Sequence, residues 1–226
     1  MSQVAFVIGA GPGIATGVAA LFASRGYAIG FSSRSQSTCD TAKQAISSHN
    51  VKVATAPADT ADIPALIKAL DSLESQLGAP SIILYNVSAL ALARKQTPLL
   101  EFDPADLGKF FTSGVRGGLV TAQWAAKHLT AGKDGKKSLF YTGGGLSKQP
   151  RPGFEGLAMD KAALESLTKA LVYTFKNDDI HVGLVNVTGL VKDDDKKWNK
   201  ELIAEEFAKL HDEEGPADKW TREVMY

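Results

Sequence analysis

The sequence predicts an α/β fold, a doubly wound parallel sheet in a single domain spanning residues 1–226. Three observations carry this. Short apolar runs alternate with stretches of helical spacing along the whole chain. The first run breaks directly into a glycine-rich turn and then a small-residue helix. No proline- or serine-rich linker and no repeat divides the 226 residues. Strands separated by helices need right-handed crossovers, which give a parallel sheet covered on both faces.

The elements follow in order. Val4, Phe6, Val7 and Ile8 form the first apolar strand, Gly9, Gly11 and Gly13 the turn, and Ile14 to about Ser24 the helix. Tyr27–Phe31 is a second strand, ending in Ser32-Ser33-Arg34. Thr41–Ser48 has helical character, and Val51–Ala56 alternates as a third strand before Asp59 and Thr60. Ile63, Leu66, Ile67, Leu70, Leu73 and Leu77 recur at helical spacing, stopped by Gly78-Ala79-Pro80. Ser81–Tyr85 is a fourth strand running into Asn86-Val87-Ser88-Ala89. After a loop with Pro98 and Pro104, one helical pattern runs from about Asp106 past Trp124 to Leu129. Leu139–Thr142 is a fifth strand closed by three glycines, Glu155–Phe175 the longest helix, and His181–Val187 a sixth strand ending at Thr188-Gly189. An amphipathic helix from about Asn199 to Leu210 lies in the tail.

Composition narrows the function classes. The 25 basic and 25 acidic side chains cancel, so no basic excess points to nucleic acid or an anionic membrane. Cys39 is the only cysteine, so no internal disulfide can form. The chain enters a strand almost at once, leaving no stretch that reads as a signal peptide, and no apolar run approaches the ~18 residues of a membrane span. A cytoplasmic protein is expected. His128 and His181 have no ligand-like spacing, so no metal site is expected.

The strand–glycine turn–helix unit is the local context of a dinucleotide-binding, Rossmann-type fold. Glycines let the backbone approach a pyrophosphate, and the helix N-terminus offers free N–H groups and the positive end of its dipole. An acid at the end of the second strand would bond the ribose 2′-hydroxyl of NAD, whereas an arginine there accommodates a 2′-phosphate. This strand ends in Ser33 and Arg34 with no acid. A guanidinium with a neighbouring hydroxyl suits a phosphate, which predicts NADP(H).

With these motifs in order, the chain resembles the short-chain dehydrogenase/reductase superfamily along essentially its full length. Ile8-Gly9-Ala10-Gly11-Pro12-Gly13-Ile14-Ala15 is similar to the family's TGxxxGxG turn, Asp59 to the aspartate that touches adenine, and Asn86-Val87-Ser88-Ala89 to Asn-Asn-Ala-Gly. Thr188-Gly189 resembles the Pro-Gly after strand six, with Leu190 and Val191 following. The resemblance implies cofactor contacts from Gly9, Gly11, Gly13, Ile14, Ser33, Arg34, Asp59, Asn86, Lys161, Gly189 and Val191. It also implies a homodimer or homotetramer, paired through the helices near Val115–Leu129 and Leu157–Phe175.

The catalytic pattern departs from the family. The YxxxK segment is matched by Leu157-Ala158-Met159-Asp160-Lys161, so lysine is kept and tyrosine is leucine. The family's serine falls among Gly143, Gly144 and Gly145, and its helix asparagine aligns with Gly114. This looks like a divergent subgroup that lacks the catalytic tyrosine. Leucine cannot titrate, and losing a positioned acid costs ~10²–10⁴ in rate. Lys161, one helical turn from Leu157, is expected on the cofactor ribose.

Ser88, after the fourth strand, and Tyr141, on the fifth, are the candidate replacement acids. Ser147, Lys148 and Glu155 are expected in a solvated loop over the pocket, Asp160 exposed around the helix, and Trp124 and Phe175 in the core or a subunit contact. Asp193-Asp194-Asp195 reads as a solvated loop. By resemblance, Lys192–Leu210, within a tail of residues 190–226, is expected to cover the substrate, with Leu202, Ile203, Phe207 and Leu210 facing it. The leading functional expectation is NADP(H)-dependent reduction of a small apolar carbonyl, enone or imine. The alternatives are a non-redox isomerase, lyase or cyclase on the same scaffold, or a catalytically silent NADP(H)-binding protein.

Overall fold

The computed structural model describes residues 3–93 and 97–226. Among these residues, seven parallel strands lie in one sheet: β1 (Val4–Ile8), β2 (Ala28–Ser32), β3 (Val53–Thr55), β4 (Ile82–Tyr85), β5 (Lys137–Gly144), β6 (Ile180–Val187) and β7 (Glu223–Met225). Their spatial order is β3-β2-β1-β4-β5-β6-β7. The order reverses between β1 and β4, where an open α/β sheet leaves a crevice for a ligand.

Among the described residues, eight α-helices connect and flank the strands: α1 (Ile14–Ser24), α2 (Gln36–Ala45), α3 (Ile63–Leu77), α4 (Leu90–Ala93), α5 (Pro104–Phe111), α6 (Gly117–His128), α7 (Glu155–Thr174) and α8 (Lys200–Asp212). Alternation within the strands builds two cores. Val4, Phe6 and Ile8 of β1 pack on one face with Leu66, Leu70 and Leu73 of α3, Trp124 of α6 and Leu164 of α7. Ala5 and Val7 point the other way, to Val18 and Phe22 of α1 and Ile203 and Phe207 of α8. Trp124 and Phe175 are buried in the first core, as expected.

Helix α3 forms where its signals place it. The Asp62 carboxylate accepts the Ala65 N–H at 3.1 Å, Pro64 occupies the first turn and Gly78 ends the helix. Three regions differ from expectation. The long helix after Pro104 is interrupted by a π-helical turn, Thr112–Arg116, between α5 and α6. There the Ser113 carbonyl accepts from the Tyr85 hydroxyl, with Thr60 Oγ1 a further donor at 3.4 Å, so β4 and the β3 loop hold the ladder open. A seventh strand, β7, extends the sheet beside β6. Helix α8 packs against α1 with Ile203, Phe207 and Leu210 in the second core and Leu202 half-buried. The apolar face expected over a substrate is therefore core.

Candidate functional site

A cleft of about 620 Å³ opens at the carboxyl ends of β1 to β4. Gly9 and Ala10 form its floor beside Ser33, Arg34, Asp59 and Asn86, with Ser88 nearby. The Gly9 and Ala10 N–H groups both donate to the Ser32 carbonyl at 2.9 Å, and the Asn86 side-chain amide donates to the Gly9 carbonyl at 3.1 Å. Asn86 is thus the bracket that ties β4 to the turn. Gly9 has φ +89°, and a Cβ there would lie 2.7 Å from the Asn86 carbonyl oxygen. Only glycine fits both constraints.

Several features suit a phosphate-bearing nucleotide. Gly13 sits at the N-cap of helix α1 with no side-chain cap, and the first turn has no acid, which leaves the first N–H groups of the helix without an intrahelical acceptor. Gly11 faces open space. Arg34 is exposed and has no hydrogen bond or ion pair among the described residues. Asp59 accepts the Ala61 N–H at 2.9 Å, which fixes its carboxylate on the cleft wall. The opposite wall comes from α5 and the π turn: Ala105, Gly108, Lys109, Thr112 and Ser113. That wall is absent from the sequence reading. Asp103, which caps α5 by accepting the Ala105 N–H at 2.9 Å, and Pro104 were its local signals.

The remaining expected cofactor residues do not line the cleft. Val191 approaches Gly13, 3.9 Å from the place of a Cβ there, and Ile14 is half-buried at the start of α1. The Trp198 indole lies against Gly189. Lys161, 6% exposed, donates to the carbonyls of Val87 and Thr142 at 3.0 Å each. Val87 lines the cleft, so the ammonium sits behind that wall. Burial pushes the Lys161 pKa down, and the Asp160 charge pulls it back.

The candidate acids separate clearly. Ser88 is exposed on the cleft wall. Tyr141 is fully buried, its hydroxyl donating to the Gly118 carbonyl at 2.9 Å, and burial holds its pKa well above the ordinary phenol range. The structure leaves Tyr141 in the core, away from the cleft. Lys148 is exposed, as expected for a solvated loop residue, but is ion-paired with Glu165 and Glu223; Ser147 and Glu155 are half-buried.

Asp160 reverses its expectation. It is 0% exposed, and neither carboxylate oxygen has a hydrogen-bond partner of good geometry among the described residues. A Cβ at Gly114 would fall on this carboxylate, so the glycine of the π turn makes its room. Burial raises the Asp160 pKa to about 6, despite the opposing pull of Lys161 and the Val115 N–H. Leu157 lies beside it on α7 in a small apolar cluster with Ala89, Ala93 and Phe110, flanked by Leu146 and Phe154. No group of three or more candidate metal ligands occurs among the described residues, and no described helix is long and apolar enough to cross a membrane.

Comparison with known proteins agrees with this architecture. A model of the short chain dehydrogenase family matches residues 3–202. An uncharacterized oxidoreductase, YohF, of Escherichia coli strain K12 is 28% identical over 187 residues, covering 82% of this chain and 72% of that one. Gluconate 5-dehydrogenase of Gluconobacter oxydans strain 621H is 26% identical over 167 residues, covering 74% of this chain and 63% of that one. The solved short-chain dehydrogenase/reductase from Serratia marcescens BCRC 10948 superposes with a TM-score of 0.82 at 26% identity, covering 99% of this chain and 96% of that one. With its glycine turn at the sheet's switch point and a family match over nearly its whole length, the chain belongs to the short-chain dehydrogenase family of oxidoreductases.

Proposed function

We propose that this protein binds NADP(H) and reduces a small, largely apolar carbonyl, enone or imine without the family's tyrosine. The observation that carries the cofactor choice is the unpaired Arg34 guanidinium beside Ser33 at the end of β2, with no acid in the Ser32–Ser35 segment. The residues fit the cofactor: the uncapped α1 N-terminus takes the pyrophosphate, Arg34 and Ser33 the 2′-phosphate, and Asp59 the adenine edge. The bound cofactor supplies the hydride. The chain supplies orientation, which can contribute more to rate than a proton donor does. Lys161 has three donors, of which two are committed to backbone carbonyls, leaving one for the ribose or the substrate. Association into a homodimer or homotetramer through α6 and α7 is part of this reading, and a monomer in sedimentation would overturn that part.

A second reading has its own observation. The space left among Leu92, Phe102, Phe110 and Phe154 is only about 10 Å³, which leaves little room for a substrate in that apolar cluster. That favours a non-redox enzyme, or a silent binding protein, with bound nucleotide as a structural part. Nicotinamide absorbance followed across carbonyl, enone and imine panels separates the two. Consumption of NADPH with one of these classes supports reduction. Silence throughout, with NADPH binding demonstrated, favours the second reading.

A further inference from the structure

We propose that residues 145–152 form a hinged flap that admits a small apolar ligand to the cluster around Leu157, with Gly144 and Gly153 as hinges, Leu146 as plug and Lys148 as latch. The inference rests on the apolar-substrate reading above and deepens it.

The hinges come first. Three glycines follow one another where β5 leaves the sheet, and two of them are glycine for packing reasons. A Cβ at Gly143 would fall on the Asn186 side-chain oxygen, and one at Gly145 would lie 3.1 Å from the Thr188 Cα. Gly144 has neither constraint. Its backbone is extended (φ −171°, ψ 150°), which any residue adopts, and a Cβ there would meet nothing nearer than the Val187 carbonyl oxygen at 3.8 Å. What glycine supplies at that point is backbone freedom. At the other end Gly153 has φ +78° and lines the small space beside Phe154. Between them Pro150 and Pro152 stiffen an exposed stretch, and the Lys148 and Gln149 N–H groups both donate to the Gly145 carbonyl, at 3.1 and 2.9 Å. A stiff segment between two permissive residues can swing as a unit.

Plug and latch lie on opposite sides of that segment. Leu146 is half-buried and packs against the cluster of Leu157, Ala89, Ala93 and Phe110. Lys148 fastens the flap from outside, its ammonium 2.5 Å from Glu165 of α7 and 3.1 Å from Glu223 of β7. Glu223 also accepts from the Asn186 Nδ2 at 2.9 Å, and the Asn186 Oδ1 accepts the Gly144 N–H at 3.0 Å, so latch and hinge are joined. Lys169 pairs with Glu165 as well, so this carboxylate keeps a partner when Lys148 leaves. The Lys148 side chain is 40% exposed, and ion pairs that face water hold weakly, which suits a latch better than a fixed tie.

Opening is a rotation at Gly144 and Gly153 that withdraws Leu146 and parts Lys148 from both carboxylates. The surface uncovered, Leu157 with Ala89, Ala93 and Phe110, is apolar, so it selects a small uncharged ligand.

The test uses the full chain as wild type, Lys148→Met and Gly144→Ala, without nucleotide. Hydrogen exchange at the residue 144 amide reads opening. Cyclohexanone is titrated while the Leu146 and Leu157 methyl signals are followed by NMR. The flap predicts that Lys148→Met lowers the protection factor about three- to tenfold, as the loss of two half-exposed ion pairs should, and tightens cyclohexanone binding by a similar factor. Salt at about 1 M is expected to reproduce this in wild type and to add little in Lys148→Met, because the latch is ionic. Gly144→Ala is expected to raise the protection factor about two- to fivefold. Any one of three results overturns the proposal: exchange unmoved by both Lys148→Met and salt, exchange unmoved by Gly144→Ala, or cyclohexanone that shifts neither leucine. Should Lys148→Met fail to fold, the salt series on wild type decides the latch. Neither measurement needs NADPH or turnover, so a protein that opens and takes up cyclohexanone yet reduces nothing counts against the redox reading alone.

Discussion

The two halves of the cleft region are built on opposite principles. On the half proposed for the nucleotide, backbone and side chains leave polar groups unspent: the first N–H groups of α1, the Arg34 guanidinium and the Ser88 hydroxyl. On the half proposed for the substrate, the lysine is committed and the position of the family's tyrosine is apolar. Lys161 is tied to two carbonyls, and Leu157 sits in an apolar cluster with Phe110. The contrast teaches where the family's constraint is strict. A polyanion needs the same cradle whatever the chemistry, whereas a fold alone leaves the reacting groups open to replacement.

The comparison breaks most completely at Gly9. Gly9→Val places a branched side chain at φ +89° and against the Asn86 carbonyl, and nucleotide affinity is expected to fall by more than about 100-fold, read by calorimetry. Retained affinity would mean that the turn is not the cradle. Lys161→Met comes next. It is expected to lower kcat/KM by ~10²–10⁴ while affinity changes far less, and to cost stability because the Val87 and Thr142 carbonyls lose their donor.

Leu157→Ala sharpens the other half. If its cluster is true core, urea unfolding should show a loss of about 2–5 kcal/mol. A much smaller loss would mean that the cluster is a substrate pocket in a collapsed state. Asp160 gives a pH-dependent stability of unusual sign. Its folded pKa of about 6 lies above the ordinary 3.8, so the folded state binds more protons between these values and stability falls as pH rises through them. Asp160→Asn should therefore raise Tm at pH 7.5, with the gain disappearing below about pH 4.

The smallest effect is expected at Glu165. Burial alone would raise its pKa, but hydrogen bonds from the Lys148 and Lys169 ammoniums at 2.5 Å outweigh it and hold the group at about 2. Its stabilising contribution is present above the unfolded value of 4.5 and is lost as pH falls toward 2. Both lysines are substantially exposed, so Glu165→Gln should cost about 1 kcal/mol or less at neutral pH.

What the sequence reveals depends on whether a signal is local. Helix α3 is legible because its cap, its proline and its terminal glycine all lie within the segment. The glycine turn and the Arg34 position are legible for the same reason. Asp160 is not, because a charged residue on a helix is usually solvated, and its burial is decided by Gly114 on a different element. Strand β7 is three residues long, and it is held by partners such as Asn186, whose carbonyl accepts the Tyr226 N–H at 3.0 Å. The apolar stripe of α8 predicts a buried face correctly but cannot say against what. Gly17 of α1 and the Lys200 backbone at the start of α8 meet closely, which draws that stripe into the core.

The most direct test of the account is calorimetric titration of NADPH and NADH into wild type and Arg34→Asp. The account predicts that wild type binds NADPH at least about tenfold more tightly, as a charged bidentate contact to one extra phosphate requires, and that Arg34→Asp abolishes the difference. Equal affinity of wild type for the two nucleotides, or no binding of either, would contradict it.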